Sequence, residues 1–108
     1  MRPAPATYVL VLFDAVETGG EVEEGEHEEF VDSLIARNLV LLGGELELGT
    51  AFAAYVLRAS LADAESIVAE DPLVVAGVAR PRFVPWELVA VNPDAIDEVL
   101  IVRPRDIA

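Results

Sequence analysis

The chain contains no cysteine, and all seven of its basic residues are arginine. Without cysteine there is no disulfide framework, no thiolate nucleophile and no Cys-based zinc site. Histidine is nearly absent as well, with His27 alone. Positive charge is scarce: seven basic residues face 20 acidic ones, for a formal charge of −13. A surface that acidic repels phosphate backbones and anionic lipid, so nucleic acid and membrane surfaces are excluded as partners. No apolar run approaches the ~18 residues of a membrane span. Tyr8 to Phe13 is too short for a signal-peptide core and ends at Asp14 without a small-residue cleavage site, so the expectation is a cytoplasmic protein. Neither a glycine-rich phosphate loop nor a flavin signature is present, and no bound cofactor is expected.

What is present is apolar. At 108 residues the chain is expected to form a single domain, yet 54% of it is hydrophobic, which favours association with another copy. Met1 to Ala6, with two prolines, reads as a leader without pattern. Thr7 to Asp14 alternates Tyr8, Leu10 and Leu12 with Val9, Val11 and Phe13, a strand whose two faces both need cover. Ala15 to Glu29 carries seven glutamates and three glycines and reads as a mobile acidic loop feeding a helix that runs to about Asn38, a tolerable left-handed stop. Leu39 to Leu48 and Ala51 to Ala59 are strands joined by the Leu48-Gly49-Thr50 turn, with Gly43-Gly44 allowing a bulge or a close ligand approach.

Ser60 and Asp63 resemble a capping box, so a helix from about Leu61 to Glu70 follows, then a short turn through Ala76 closed by Gly77. Arg82 to Val91 is the fourth strand, broken by Asn92-Pro93-Asp94. Ala95 to Glu98 suggests one turn of helix, and Val99 to Val102 a further strand-like run that extends a sheet edge or reaches across a dimer. The order strand, helix, strand, strand, helix, strand predicts an α+β ferredoxin-like βαββαβ sandwich with a four-stranded antiparallel sheet and both helices on one face. The core covers about residues 7–91, with an extension over 92–108. The sheet face that the helices leave open is then expected to pack against a second copy, giving a homodimer.

Two residues stand out on the helical stripes. His27, Phe30, Val31 and Leu34 fall at offsets 0, 3, 4 and 7, as do Ala64, Ile67, Val68 and Asp71, so each stripe carries one polar residue inward. Pro72 ends the second helix at Asp71, placing a carboxylate at a helix C-terminus, where the dipole disfavours it. In the predicted topology the two helices run in opposite directions, and His27 and Asp71 come to the same end of the layer. Such a pair suits proton transfer: a carboxylate on one ring nitrogen fixes the tautomer and stabilises the imidazolium. The plainer readings are a histidine at the edge of an apolar face and an Asp-Pro turn. A metal site built on His27, Asp71 and a glutamate has thin support, with only one histidine. Arg80 and Arg82 suit either an anionic substrate or surface ion pairs, and Trp86 either packing or a pocket wall. Phe52 and Tyr55 read as core or interface.

Taken together, Ser60, Ala64, Asp71-Pro72, Ala76-Gly77 and Trp86, with His27 on the first helix and Gly44 after the second strand, resemble the YCII-related family of small dimeric α/β-barrel proteins. The resemblance spans about Tyr8 to Val89. It implies that His27 and Asp71 are a catalytic dyad, that Gly44 borders the substrate, and that the sheets of two subunits pack together. Lyase or isomerase chemistry on a small molecule is the corresponding expectation, and a non-catalytic metabolite-binding or scaffold module is the alternative. This chain departs from the family pattern in having Glu45 after the glycine, glutamates before the histidine and a longer tail.

Overall fold

The computed structural model describes residues 7–17 and 19–107; the expected leader at residues 1–6 lies outside them. Strands β1 (Thr7–Ala15), β2 (Val40–Leu48), β3 (Ala51–Leu57) and β4 (Ala79–Glu87) form one sheet in the order β2-β3-β1-β4. Every neighbouring pair is antiparallel. With helices α1 (Glu26–Ala36), α2 (Leu61–Val68) and the single turn α3 (Pro72–Val75) in the crossovers, this is the ferredoxin-like α+β arrangement. No helix among the described residues is long and apolar enough to cross a membrane.

The period-two pattern of β1 divides the molecule. Val9, Val11 and Phe13 are fully buried and pack with Leu34 of α1, Ala64 and Val68 of α2, and Ala53, Tyr55 and Leu57 of β3. Cross-strand partners share a face, so Leu12, Ala54 and Arg82 stand together on the other side, as do Tyr8 and Trp86. On that side Leu42, Phe52, Val84 and Trp86 are exposed to between 37% and 60%, which leaves much of an apolar sheet face uncovered in one chain.

Local chemistry sets the boundaries. Helix α1 begins after Gly25 at φ 90° and ends as expected at left-handed Asn38 (φ 59°). There the Leu39 amide donates to the Leu34 carbonyl (2.9 Å) and the Asn38 amide to that of Ile35 (2.8 Å), a Schellman motif. The same motif closes α3 at Gly77 (φ 72°), where the Val78 amide donates to the Leu73 carbonyl (3.0 Å). Ser60 caps α2 by accepting from the Asp63 amide (3.1 Å).

Several expectations need correction. Strand β3 stops at Leu57 and α2 at Val68, both two residues short. Strand β4 starts at Ala79 rather than Arg82 and ends at Glu87 rather than Val91. Pro81 and Pro85 do not shorten it, because β4 is an edge strand and needs partners on one side only. The run Val99 to Val102 is no strand: Pro93–Ala95, Glu98–Leu100 and Pro104–Asp106 are separate 3-10 turns, and Val99 is 89% exposed. The described part of the acidic loop is tethered, since the Val16 amide donates to the Val78 carbonyl (3.0 Å) and the Gly20 amide to that of Ala76 (2.8 Å). Gly19 lies so close to Gly77 that a β-carbon there would overlap its carbonyl oxygen.

Candidate active site

Antiparallel helices bring the start of α1 and the end of α2 to one end of the layer, and His27 meets Asp71 there. Its Nδ1 stands 3.0 Å from Asp71 Oδ1, across 44 residues of sequence; facing a charged carboxylate, which can only accept, this nitrogen is the donor. The imidazole is 20% exposed, whereas the carboxylate is wholly buried. Among the described residues Asp71 is the only buried charged side chain.

A buried carboxylate persists only where donors replace its water. Asp71 has three. Oδ1 accepts from the Leu73 amide (2.9 Å) as well as from His27, and Oδ2 accepts from the Tyr55 hydroxyl (3.0 Å). The Leu73 bond corrects the reading of Asp71 as a carboxylate stranded at a helix C-terminus. Pro72 opens a new helical turn, and Asp71, extended at φ −62° and ψ 128°, is its N-cap. The residue that breaks α2 therefore also supplies a backbone donor for the acid, at the helix end where negative charge is favoured.

Tyr55 is the site residue that sequence reasoning passed over as core or interface. It is core, at 2% exposure, and its hydroxyl is polar business at the end of an apolar ring. Period two places it opposite Val11 on the helix-covered face, but nothing in the local pattern shows which polar group its oxygen meets. Burial, followed by the charge of Asp71 and the hydrogen bond to it, holds its phenol far above the ordinary value. Tyr55 is therefore a fixed neutral donor. Its ring lies nearly parallel to His27 (15° between planes, centroids 6.3 Å apart), and the Phe13 ring meets both edge-on at 5.8 Å and 5.1 Å.

Because both Asp71 oxygens accept hydrogen bonds, His27 Nδ1 carries its proton toward the acid and Nε2 is the nitrogen left for other chemistry. That arrangement can take up a proton at Nε2 while the carboxylate stabilises the imidazolium.

The other expected site residues stand elsewhere. Gly44 pairs with Ala54, Arg82 with Leu12, Arg80 with Asp14 and Trp86 with Tyr8, all on the open sheet face. Within one chain the sheet separates them from His27 and Asp71. Arg82 is engaged already: Nε and Nη2 donate to Asp14 at 3.0 Å and 3.1 Å. That pairing lowers the Asp14 carboxyl below its ordinary range and raises the Arg82 guanidinium, with Thr50 also donating to Asp14 (3.0 Å). Trp86 borders a surface depression with Thr7, Tyr8, Pro85 and Glu87, and a second is lined by Glu45, Leu46, Glu47 and Phe52. A β-carbon on Gly44 would meet nothing within 4 Å, whereas one on Gly43 would stand 3.0 Å from Tyr55 Cβ. The close approach in that glycine pair is thus made by the first member. No family model, curated protein or solved structure matches the chain.

Proposed function

We propose that this chain is a small-molecule enzyme of the YCII-related type, a lyase or isomerase that moves a proton by means of His27, held by Asp71. One observation carries this reading: the His27 Nδ1 to Asp71 Oδ1 bond of 3.0 Å, made to a wholly buried carboxylate. Burying an acid with an imidazole that is only 20% exposed as its one ionisable partner of opposite charge costs stability that an apolar residue would not, and functional sites are where such arrangements collect. In the proposed step Nε2 takes a proton from an acidic C–H or O–H of the substrate, and Asp71 stabilises the resulting imidazolium. The electron pair left behind either expels a leaving group from the neighbouring carbon or reprotonates elsewhere from Nε2–H. The first course is a lyase reaction and the second an isomerisation. Neither needs a covalent intermediate.

The working unit in this reading is a homodimer whose open sheet faces pack together. The exposed Leu42, Phe52, Val84 and Trp86 support it. Gly44, Arg80, Arg82 and Trp86 would then lie in or around the interface between subunits, and any contact they make with substrate would arise there.

A second reading, a module that binds a metabolite or serves as a scaffold without turnover, is favoured by the two surface depressions, neither of which includes His27 or Asp71 in its lining. A screen of hydroxylated aromatics, including chlorinated ones, and small carbonyl acids separates the two. Turnover that falls about 100-fold or more in His27→Ala supports the enzyme. Binding that His27→Ala leaves unchanged, with no turnover in either protein, supports the module.

A further inference from the structure

Asp71 can orient His27 only if its own carboxylate is prevented from turning. The Leu73 amide and His27 Nδ1 both bind Oδ1, at 2.9 Å and 3.0 Å. Two bonds to one oxygen still allow the group to pivot about it. The pivot is stopped at Oδ2, whose bond comes from the Tyr55 hydroxyl at 3.0 Å. We infer that Tyr55 is the positioning residue of this site: by pinning Asp71 Oδ2 it keeps Oδ1 on His27 Nδ1, and so keeps His27 in the one tautomer whose Nε2 is free to accept a proton.

Three features fit this role better than simple packing. The hydroxyl is buried with its ring, and among the described residues no buried side-chain polar atom lacks a hydrogen-bond partner, so its placement is specific. The phenol keeps its proton at any ordinary pH, so the bond to Oδ2 always points the same way. The ring also lies along His27 while its oxygen reaches Asp71, so one side chain rests against both members of the pair. Room for it is left by Gly43 on the adjacent strand, where a β-carbon would approach Tyr55 Cβ to 3.0 Å.

The inference rests on the reading of His27 and Asp71 as the working pair, but its test needs no substrate. His27 is the only histidine, so nitrogen-15 labelling of histidine gives one set of ring signals, which report the tautomer and the exchange of the Nδ1 proton. Tyr55→Phe keeps the ring and removes one oxygen. The expected result is a parent held as the Nδ1–H tautomer and a variant in which the Nε2–H form becomes populated. The Nδ1 proton of the variant should also exchange about three- to tenfold faster, the factor that one net hydrogen bond commands. A folded Tyr55→Phe protein with the parent's tautomer and exchange rate overturns the inference. If that variant does not fold, 3-fluorotyrosine incorporation supplies the second measurement. It sharpens the Tyr55 donor, while the other tyrosine, Tyr8, stands on the opposite sheet face. A moved Nδ1–H signal then supports the role and an unmoved one overturns it. Absence of turnover in the substrate screen would count against the enzyme reading and leave this ring measurement standing, so the two failures are distinguishable.

Discussion

Gly43 and Tyr55 face each other across the β2–β3 ladder, and a β-carbon on the glycine would stand 3.0 Å from that of the tyrosine. The site thus depends on a side chain that is missing from a neighbouring strand. Gly43 is itself exposed on the edge strand β2, but Gly43→Ala is expected to press on buried Tyr55 and to cost about 1 kcal/mol, the low end of the penalty for crowding a packed side chain. Gly44→Ala, which points into open space, should fall within about 0.5 kcal/mol of the parent. Urea unfolding midpoints of the two variants check the contrast.

Removing the acid should be far costlier than removing a helix cap. Asp71→Ala strips partners from the Tyr55 hydroxyl, the Leu73 amide and His27 at once, and about 2–4 kcal/mol of stability should go with them. Ser60→Ala loses one exposed cap bond, worth about 1 kcal/mol. Denaturant titration of both proteins at neutral pH tests the ranking.

Alkaline unfolding should carry the signature of Tyr55. Its folded phenol is held above the free value of 10.0, so its contribution is fully present below pH 10 and is lost as pH rises beyond that. In the unfolded chain the group ionises above pH 10, while the folded chain still holds the proton. The parent should therefore lose up to about 1.4 kcal/mol per pH unit from this group, and Tyr55→Phe should lack that component. Urea melts of the two proteins at pH 8 and pH 11 should show the gap between them narrowing at the higher pH.

The Asp14–Arg82 pair acts at the other end of the scale. The folded Asp14 carboxyl lies below its free value of 3.8, first because Arg82 donates to it. Its contribution is present above pH 3.8 and fades as pH falls through the lower, folded value. Asp14→Asn should therefore lower the thermal midpoint at pH 7 more than at pH 2.5, with added salt shrinking the difference at pH 7. Equal losses at both pH values would remove the charge from the explanation.

In the proposed homodimer, a charge placed on the open sheet face should separate the subunits. Val84→Glu, on a residue 40% exposed in the single chain, is expected to weaken self-association about tenfold or more. Val75→Glu, on α3 and 71% exposed, should leave it unchanged. Sedimentation velocity over a concentration series distinguishes them.

Much of the fold is legible residue by residue. Alternation along Val9, Val11 and Phe13, the cap at Ser60, the left-handed stop at Asn38 and the short Gly49 turn are local signals, because each depends on neighbours within a few positions. Where local signals mislead, the reason is physical. Proline at 81 and 85 argues against a strand until the strand is known to be an edge, and Val99 to Val102 has the composition of a strand but pairs with no strand among the described residues. Asp71 read as the end of one helix because Pro72 cannot continue it; that the same proline begins another turn depends on the backbone direction taken there.

The order of elements and two apolar stripes were enough to send His27 and Asp71 to the same end of the helical layer, since each crossover joins parallel strands and the two halves run in opposite directions, which makes the helices antiparallel. Sequence alone could not place Tyr55 against that acid, nor put Gly44, Arg80, Arg82 and Trp86 behind the sheet from it. Periodicity specifies a face, and faces follow from spacing along the chain. Which polar atoms meet on a face depends on the register between strands and the angle at which helices cross them, and those are set only when the whole molecule packs.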